Sequence, residues 1–381
     1  MKPMTVFGRQ KPANLEPEGR KDVNYSSQWR LMVLRFKKHK LARISLAVLA
    51  LLYVCALLAQ FLAPYSLESY DSKYVNAPPM KLRFVDADGK FHIRPFVYEL
   101  QSTRDPDTMR KIFASNPEKR YALKFFVKGE RYKFLGVIPT STHLIGVEQP
   151  GRIFLLGTDA LGRDMFSRIL LGSQVSLSIP LVGVGISFIL GLIIGGVSGY
   201  FGGWMDSVIQ RIIEIIRSFP TLPLWMALSA AIPPRIPVVR MYFYIVIIFA
   251  FIEWTGLARV VRGKFISLKN EDYVVAAKIA GVGDAKIIAK HLLPGLISYL
   301  VVATTLAIPG MILAETAMSF LGLGIRAPAT SWGVLLQEAQ QIENIALYPW
   351  KIIPLATVII TVLTFNFLGD GLRDAADPYK R

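Results

Sequence analysis

Apolar residues along this chain gather into long blocks separated by polar and basic stretches. Runs cover Ile44 to Ala63, about Val175 to Gly199, about Met241 to Trp254 with an extension from Gly256 to Val261, about Leu296 to Ala317, and about Ile352 to Leu368. Runs of about 20 apolar residues span a bilayer as helix. A further block is interrupted. Val208 to Ile216 carries Gln210, Arg211 and Glu214, and Ser218-Phe219-Pro220 breaks the pattern before Leu222 to Ile232. Its polar groups should face a cavity, the cytoplasm or one another, and Arg211 and Glu214 are spaced to pair. The pattern predicts an all-α polytopic membrane protein with six transmembrane helices.

Between the first and second runs the period changes. Leu82, Phe84, Phe91 and Ile93 alternate on either side of Asp86-Ala87-Asp88-Gly89, which reads as a hairpin turn. A second pair, Leu123 to Val127 and Tyr132 to Val137, flanks Lys128-Gly129-Glu130. These predict a small extracytoplasmic β-rich insert, acting either as a passive lid or as a docking surface.

Within the runs, Gly191 and Gly195 form a GxxxG spacing that lets helices approach closely, within the subunit or against a second one. Glu253 is placed to pair with Arg259 or Arg262, and Pro309-Gly310 to kink its helix. Glu315, near the outer end of its run, is an ionisable group in a membrane helix and so a pathway candidate. The alternative for it is structural, capping the outer helices or pairing with Arg326.

Composition narrows the class. The chain has 381 residues, 52% of them hydrophobic, and a formal net charge of +17. A soluble chain this apolar would need one very large core, whereas here the apolar residues are bunched. The basic charge is spread over loops with no nucleic-acid motif beside it, so anionic headgroups and cytoplasmic orientation account for it better. The single cysteine, Cys55, lies inside an apolar run and reads as a small buried hydrophobe. No Cys/His cluster offers a metal site and no cofactor is expected. The chain carries no GxxxxGK[ST] loop, nucleophile elbow or HExxH pattern, so ATP hydrolysis and catalysis are not expected of it.

The most informative polar stretch is Asn270 to Pro294, NEDYVVAAKIAGVGDAKIIAKHLLP. It reads as two short helices about a glycine hinge. Asn270 is placed to cap the first, with Glu271 and Asp272 in its first turn. Tyr273, Ala276, Ala277 and Ala280 recur at helical spacing and should share one small, smooth face. Gly281 ends that helix, Asp284 caps the second and Pro294 closes it. An amphipathic helix lying on the membrane is the plain reading. A knob that docks in a partner's groove is the sharper one.

Ala276-Ala277, Gly281 and Leu293-Pro294 at these offsets resemble the coupling loop of ABC-importer permeases, with Val275 where a Glu is usual and His291 where an Ile is general. The stretch Leu156-Gly157-Thr158-Asp159-Ala160-Leu161-Gly162-Arg163-Asp164 to Arg168 resembles the signature before the second span of C-type peptide-importer permeases. Thr158 or Asp159 is placed to cap a turn there, and Arg163 and Arg168 to reach headgroups from an interfacial elbow helix. Gly199 to Asp206, Ser319 to Gly333 and Gly369 to Pro378 also resemble that family. The resemblance covers roughly Phe154 to the C-terminus, less clearly the first span, and not the insert from Pro64 to Ile153.

It implies a permease subunit of the dipeptide/oligopeptide/nickel family. Implied partners are a second homologous permease, two cytoplasmic ATPase domains, an extracytoplasmic solute-binding protein and membrane lipid. Implied coupling residues are Tyr273, Ala276, Ala277, Ala280, Gly281, Asp284 and Pro294. The implied location is a bacterial inner membrane, with both termini cytoplasmic. Basic residues before the first run agree with that orientation, and the long preceding tail argues against a cleaved signal peptide. The expected organisation is a cytoplasmic tail (1–40), a first span (41–63), an insert with elbow (64–172), a permease core (173–369) holding the coupling loop (258–294), and a C-terminal tail (370–381). An ion-driven secondary transporter and a non-transporting membrane receptor or assembly factor are the rivals.

Overall fold

The structure, a computed structural model, describes residues 28–108, 110–233 and 236–377. The N-terminal tail up to residue 27, Pro234 and the chain from Pro378 onward lie outside the described residues.

A basic helix α1 (Gln28–Lys38) leads into α2 (Lys40–Leu57). His39 separates them, and its Nδ1 accepts from the Ala42 amide (3.1 Å), capping α2. After a short α3 (Ala59–Leu62) comes the insert, with β1 (Arg83–Val85), β2 (Phe91–Arg104), β3 (Lys111–Ala122), β4 (Lys124–Phe134) and β5 (Ile138–Gly146). The helical body follows as α4 (Met165–Phe201), α5 (Gly203–Ser218), α6 (Thr221–Ala230), α7 (Val238–Leu268), α8 (Asp272–Ile279) and α9 (Asp284–Ile287). It ends with α10 (Leu293–Phe320), α11 (Trp332–Ala339), α12 (Ile342–Leu347) and α13 (Ile353–Ala376).

Five segments of the described residues are long and apolar enough to cross a membrane by themselves: α2, α4, α7, α9 through α10, and the α13 segment. A broken helix lies between the second and third of them. α4 and α7 lie side by side in the same direction, with Gly191, Gly195 and Gly199 of α4 meeting Leu257, Ala258 and Arg262 of α7 in rising order. The chain between them must therefore return from one end of the bundle to the other. α5 and α6 make that return. Asp206 near the start of α5 bonds Arg262 at the end of α7 (2.6 Å), and Ser229 of α6 donates to the Leu323 carbonyl beyond the far end of α10. Pro220 lacks an amide proton and interrupts the pair at the place the sequence indicates.

The GxxxG glycines serve packing within the subunit. Without side chains, Gly191 makes room for the Leu257 side chain and Gly195 admits the α7 backbone at Ala258. α2 and α13 run antiparallel, with Gly371 against Ala42. Where the sequence suggested that the sixth span ends at Leu368, α13 continues as helix to Ala376.

The insert holds a three-stranded sheet, β1-β2-β3, and a separate hairpin, β4-β5. The first hairpin turns at Asp86–Gly89, where Gly89 takes φ +80° and Asp86 Oδ1 accepts from the Asp88 and Lys90 amides. The second proposed hairpin is wrong. Lys128-Gly129-Glu130 lies inside one strand as a bulge, and the turn falls at Leu135-Gly136. Both of those residues adopt positive φ, the geometry a tight hairpin turn demands. Gly129 is small because the His143 ring lies over it, where a Cβ would approach to 2.7 Å. His143 Nδ1 in turn meets the Ala63 carbonyl (2.6 Å), so the hairpin is tied to the end of the first span.

Candidate functional site

At one end of the bundle α8 and α9 form a knob. Val274 and Ile287 are fully buried and Ala277 nearly so, against Tyr200, Phe265 and Leu296. Gly281 stands at φ +76°. Its amide donates to the Lys278 carbonyl (3.0 Å), and the Val282 amide donates to the Ala277 carbonyl (3.1 Å). This pair of reversed bonds closes a helix C-terminus, and only glycine reaches it without Cβ strain. Asp284 accepts from the Tyr200 hydroxyl (2.5 Å), and Lys278 Nζ lies 4.9 Å from the Tyr200 ring centre. Lys269 Nζ donates to the last carbonyls of α4, at Gly199 (3.0 Å) and Tyr200 (3.4 Å). Cation and helix terminus are complementary there.

Four expectations about this knob need correction. Ala277 does not share an outward face with Tyr273, Ala276 and Ala280. It turns inward beside Val274, and the outward surface is Tyr273, Ala276 and Ala280 with Val275 and Ile279. The first-turn cap position is Glu271, not Asn270, whose amide side chain instead donates back to the Ile266 carbonyl (3.4 Å). Pro294 does not close a helix. A π turn over Ile288–Leu292 carries α9 into α10, and Pro294 sits in the first turn of α10. Proline is tolerated at a helix start, and the wider turn absorbs the amide it lacks. Asp284 is likewise a first-turn residue; Gly283 holds the cap position.

At the opposite end lies a charged junction. Arg168, 3% exposed, bonds Asp159 (2.6 Å) and both carboxylate oxygens of Glu338 (2.5 and 2.8 Å). Arg163 bonds the same two acids, at 2.6 Å to Asp159 and 3.2 Å to Glu338. Neither guanidinium is free to reach headgroups as the elbow reading required, and no separate elbow helix forms. Asp164 caps α4 directly, accepting from the Ser167 amide (2.8 Å) and hydroxyl (2.7 Å). Burial pushes the Asp164 carboxyl up to about 7.

Glu315 lies close by, 1% exposed. Its carboxylate accepts from Ser319 (2.7 Å) and Ser176 (3.3 Å), and Ser176 accepts from the Trp332 amide (3.0 Å). It joins α4, α10 and α11 rather than opening on a path, and its partners are serines, not Arg326. No sequence spacing indicated that serine cage.

Sequence reasoning missed a half-depth trough. A cavity of about 220 Å³ lies between α4, α7 and α10, lined by Phe188, Glu253, Gly256, Leu257, Thr304 and Met311 among others. Glu253 does not pair with Arg262, whose guanidinium is engaged by Asp206. The signal was in the chain all the same, since Glu253 is an acid next to the inner end of the Met241 to Trp254 run.

Five membrane-length apolar segments among the described residues, a broken helix between two of them, an insert at one end and a glycine-capped helical knob at the other define a multi-pass membrane protein. The chain belongs to the family of binding-protein-dependent transport system inner membrane components, whose model matches residues 169–381. The N-terminal transmembrane domain of oligopeptide transport permease C matches residues 27–79. The oligopeptide transport system permease protein OppC of Haemophilus influenzae is 43% identical over 227 residues, 59% of this chain and 70% of that one. The dipeptide permease DppC of Bacillus subtilis is 39% identical over 226 residues, 59% of this chain and 68% of that one. The DppC of Lactococcus lactis is 32% identical over 360 residues, 93% of this chain and 90% of that one. A match of that length must run through much of the insert, which the sequence resemblance had left unassigned. The chain is thus the membrane-spanning permease subunit of an ABC importer, and ATP hydrolysis belongs to separate subunits.

Proposed function

We propose that this permease imports peptides, paired with a second homologous permease, two cytoplasmic ATPase domains and an extracytoplasmic solute-binding protein. The observation that carries the coupling role is the outward face of α8. Tyr273, Ala276 and Ala280 are exposed on a short helix whose other face is anchored by Val274 and Ala277. Small side chains let a partner's groove approach the helix backbone, while the cap at Gly281 and the Tyr200–Asp284 bond tie the knob to α4. A push on the knob is then passed to the bundle and not absorbed by a slack loop.

The charge distribution supports an orientation. Arg35, Lys37, Lys38, Lys264, Lys269, Lys278, Lys286 and Lys290 gather towards the knob end, which supports a cytoplasmic knob and cytoplasmic termini. In the cycle ATP closes the ATPase dimer, the knobs move, and the spans rock open to the outside to accept solute. The chain supplies two packings of similar stability that the cytoplasmic partners bias.

The test is co-purification from membranes in mild detergent, comparing the wild type with an Ala276→Asp/Ala280→Asp variant. Two charges on the outward face should be hard to bury in a partner's groove, so the ATPase should be lost while the second permease stays. Retention of the ATPase by the variant would remove the coupling assignment. A wild type that purifies alone and moves solute without ATP would favour the ion-driven reading.

A further inference from the structure

Glu253 is the middle residue of α7, with fifteen residues on either side within Val238–Leu268. Its side chain is exposed into the trough between α4, α7 and α10, where α4 packs against both neighbours and holds α7 and α10 apart. Arg217 reaches the same place from α5. It is the basic residue of that helix's last turn, just before the Phe219-Pro220 break, and its Nη1 lies 3.7 Å from where a Cβ on Gly256 would stand. Gly256 lines the trough one turn beyond Glu253.

The two charges are within electrostatic reach of each other, yet no ion pair joins them among the described residues. Glu253 therefore lines the trough and Arg217 stands at its margin beside Gly256, without an ion pair between them, among apolar helices where an unpaired charge is costly. The walls between them are apolar, at Phe188, Leu257 and Met311, and the Thr304 hydroxyl is buried there without a hydrogen-bond partner. The broken helix beside the trough is the kind of interruption that membrane transporters place at solute sites.

We infer that this trough receives the two charged ends of a zwitterionic solute, Glu253 taking an ammonium group and Arg217 a carboxylate. The inference rests on the peptide-import reading and deepens it, since a peptide with free termini carries both groups. A solute with both charges satisfies both side chains, whereas a singly charged solute leaves one of them unpaired. The trough is thus selective at the membrane, in addition to any selection by a binding protein.

The test uses the complete importer in proteoliposomes with ATP and saturating binding protein. The probes are trialanine, N-acetyl-trialanine and trialanine amide, taken up by wild type, Glu253→Gln and Arg217→Gln. For each probe the wild-type-to-variant ratio of initial rates is compared, which cancels the binding protein's own preference. Losing one charge-assisted contact should cost Glu253→Gln about tenfold on trialanine but little on the acetylated probe, and Arg217→Gln about tenfold on trialanine but little on the amide. Unchanged trialanine uptake in both variants, or equal losses on all probes, overturns the inference. A wild type that moves no probe at all sinks the peptide reading instead.

Should a variant fail to assemble, or a modified probe not be carried, a second measurement decides. In a Cys55→Ser, Ala307→Cys chain, which keeps Glu253 and Arg217 and places a thiol in the trough wall, trialanine during turnover should slow labelling of the new thiol by a cationic thiosulfonate. An unaltered labelling rate overturns the inference.

Discussion

The backbone of Gly195 in α4 lies against the carbonyl of Ala258 in α7, so closely that a Cβ on residue 195 would stand 2.3 Å from that oxygen. Nothing flexible can yield there, because the obstructing atoms are backbone. Gly195→Ala should therefore part the two helices and lower stability by about 1–3 kcal/mol. Gly185, on the same helix, has nothing within 4 Å of its Cβ position. Gly185→Ala should leave the thermal midpoint in detergent unchanged or raise it slightly. Equal midpoints for the two variants would show that the seam does not hold the bundle.

The Arg168 junction gives a second contrast. Arg168 is 3% exposed and bridges Asp159 to Glu338 across α4 and α11, whereas the Arg163 side chain is 17% exposed on the same acids. Removing Arg168 leaves the buried Asp159 and the half-exposed Glu338 with Arg163, so it takes away the more buried of their two guanidinium partners. Arg168→Met should sharply reduce the yield of folded permease, and Arg163→Met should reduce it less. Membrane yield and size-exclusion profiles of the two variants check this, and a milder effect at Arg168 would contradict the burial argument.

Much of this was legible beforehand, for reasons that differ by element. The spans could be read because a bilayer demands apolar length, and the Pro220 break because proline has no amide proton to give. Gly281 could be read because a left-handed cap has few occupants. Two kinds of feature were hidden. The inward turn of Ala277 depends on which side of α8 meets Phe265 and Leu296, and no single-sequence period reveals tertiary contact. One of the two acids that hold Arg168, Glu338, lies 170 positions away, so a basic residue near an interface looked like a headgroup contact. The bulge at Lys128-Gly129-Glu130 misled because glycine serves both turns and crowded strands.

The knob supplies a third prediction. Gly281 has open space around its Cβ position but a φ of +76°, so only backbone strain opposes a side chain there. Gly281→Val should strain the cap by about 1–2 kcal/mol, and Gly281→Asn by less, since Asn visits this region more readily. Gly281→Pro, which also removes the amide that donates to Lys278, should be the most severe. All three should insert in the membrane. The expected ranking of lost solute uptake per ATP hydrolysed is Pro, then Val, then Asn. Normal coupled transport in Gly281→Pro would refute the role given to this loop.

The last prediction concerns pH. Asp164 caps α4, and burial pushes its carboxyl up to about 7. One of its oxygens accepts from Ser167, while the other is buried without a partner. In the unfolded chain the same carboxyl titrates near 3.9, or roughly 4. Below about pH 4 both states hold the proton. Between about pH 4 and 7 the folded state holds a proton that the unfolded state has lost, so stability falls as pH rises through this window and levels off above it. From pH 5.5 to 8 the loss is about 2 kcal/mol, at about 1.4 kcal/mol for each pH unit below 7. Asp164→Asn keeps a capping side chain but has no proton to lose. Thermal midpoints taken across this range should fall for the wild type and stay comparatively flat for the variant. Parallel curves would mean that the charged carboxylate is accommodated at the head of α4, with the Ser167 bonds and the positive end of the helix outweighing its burial.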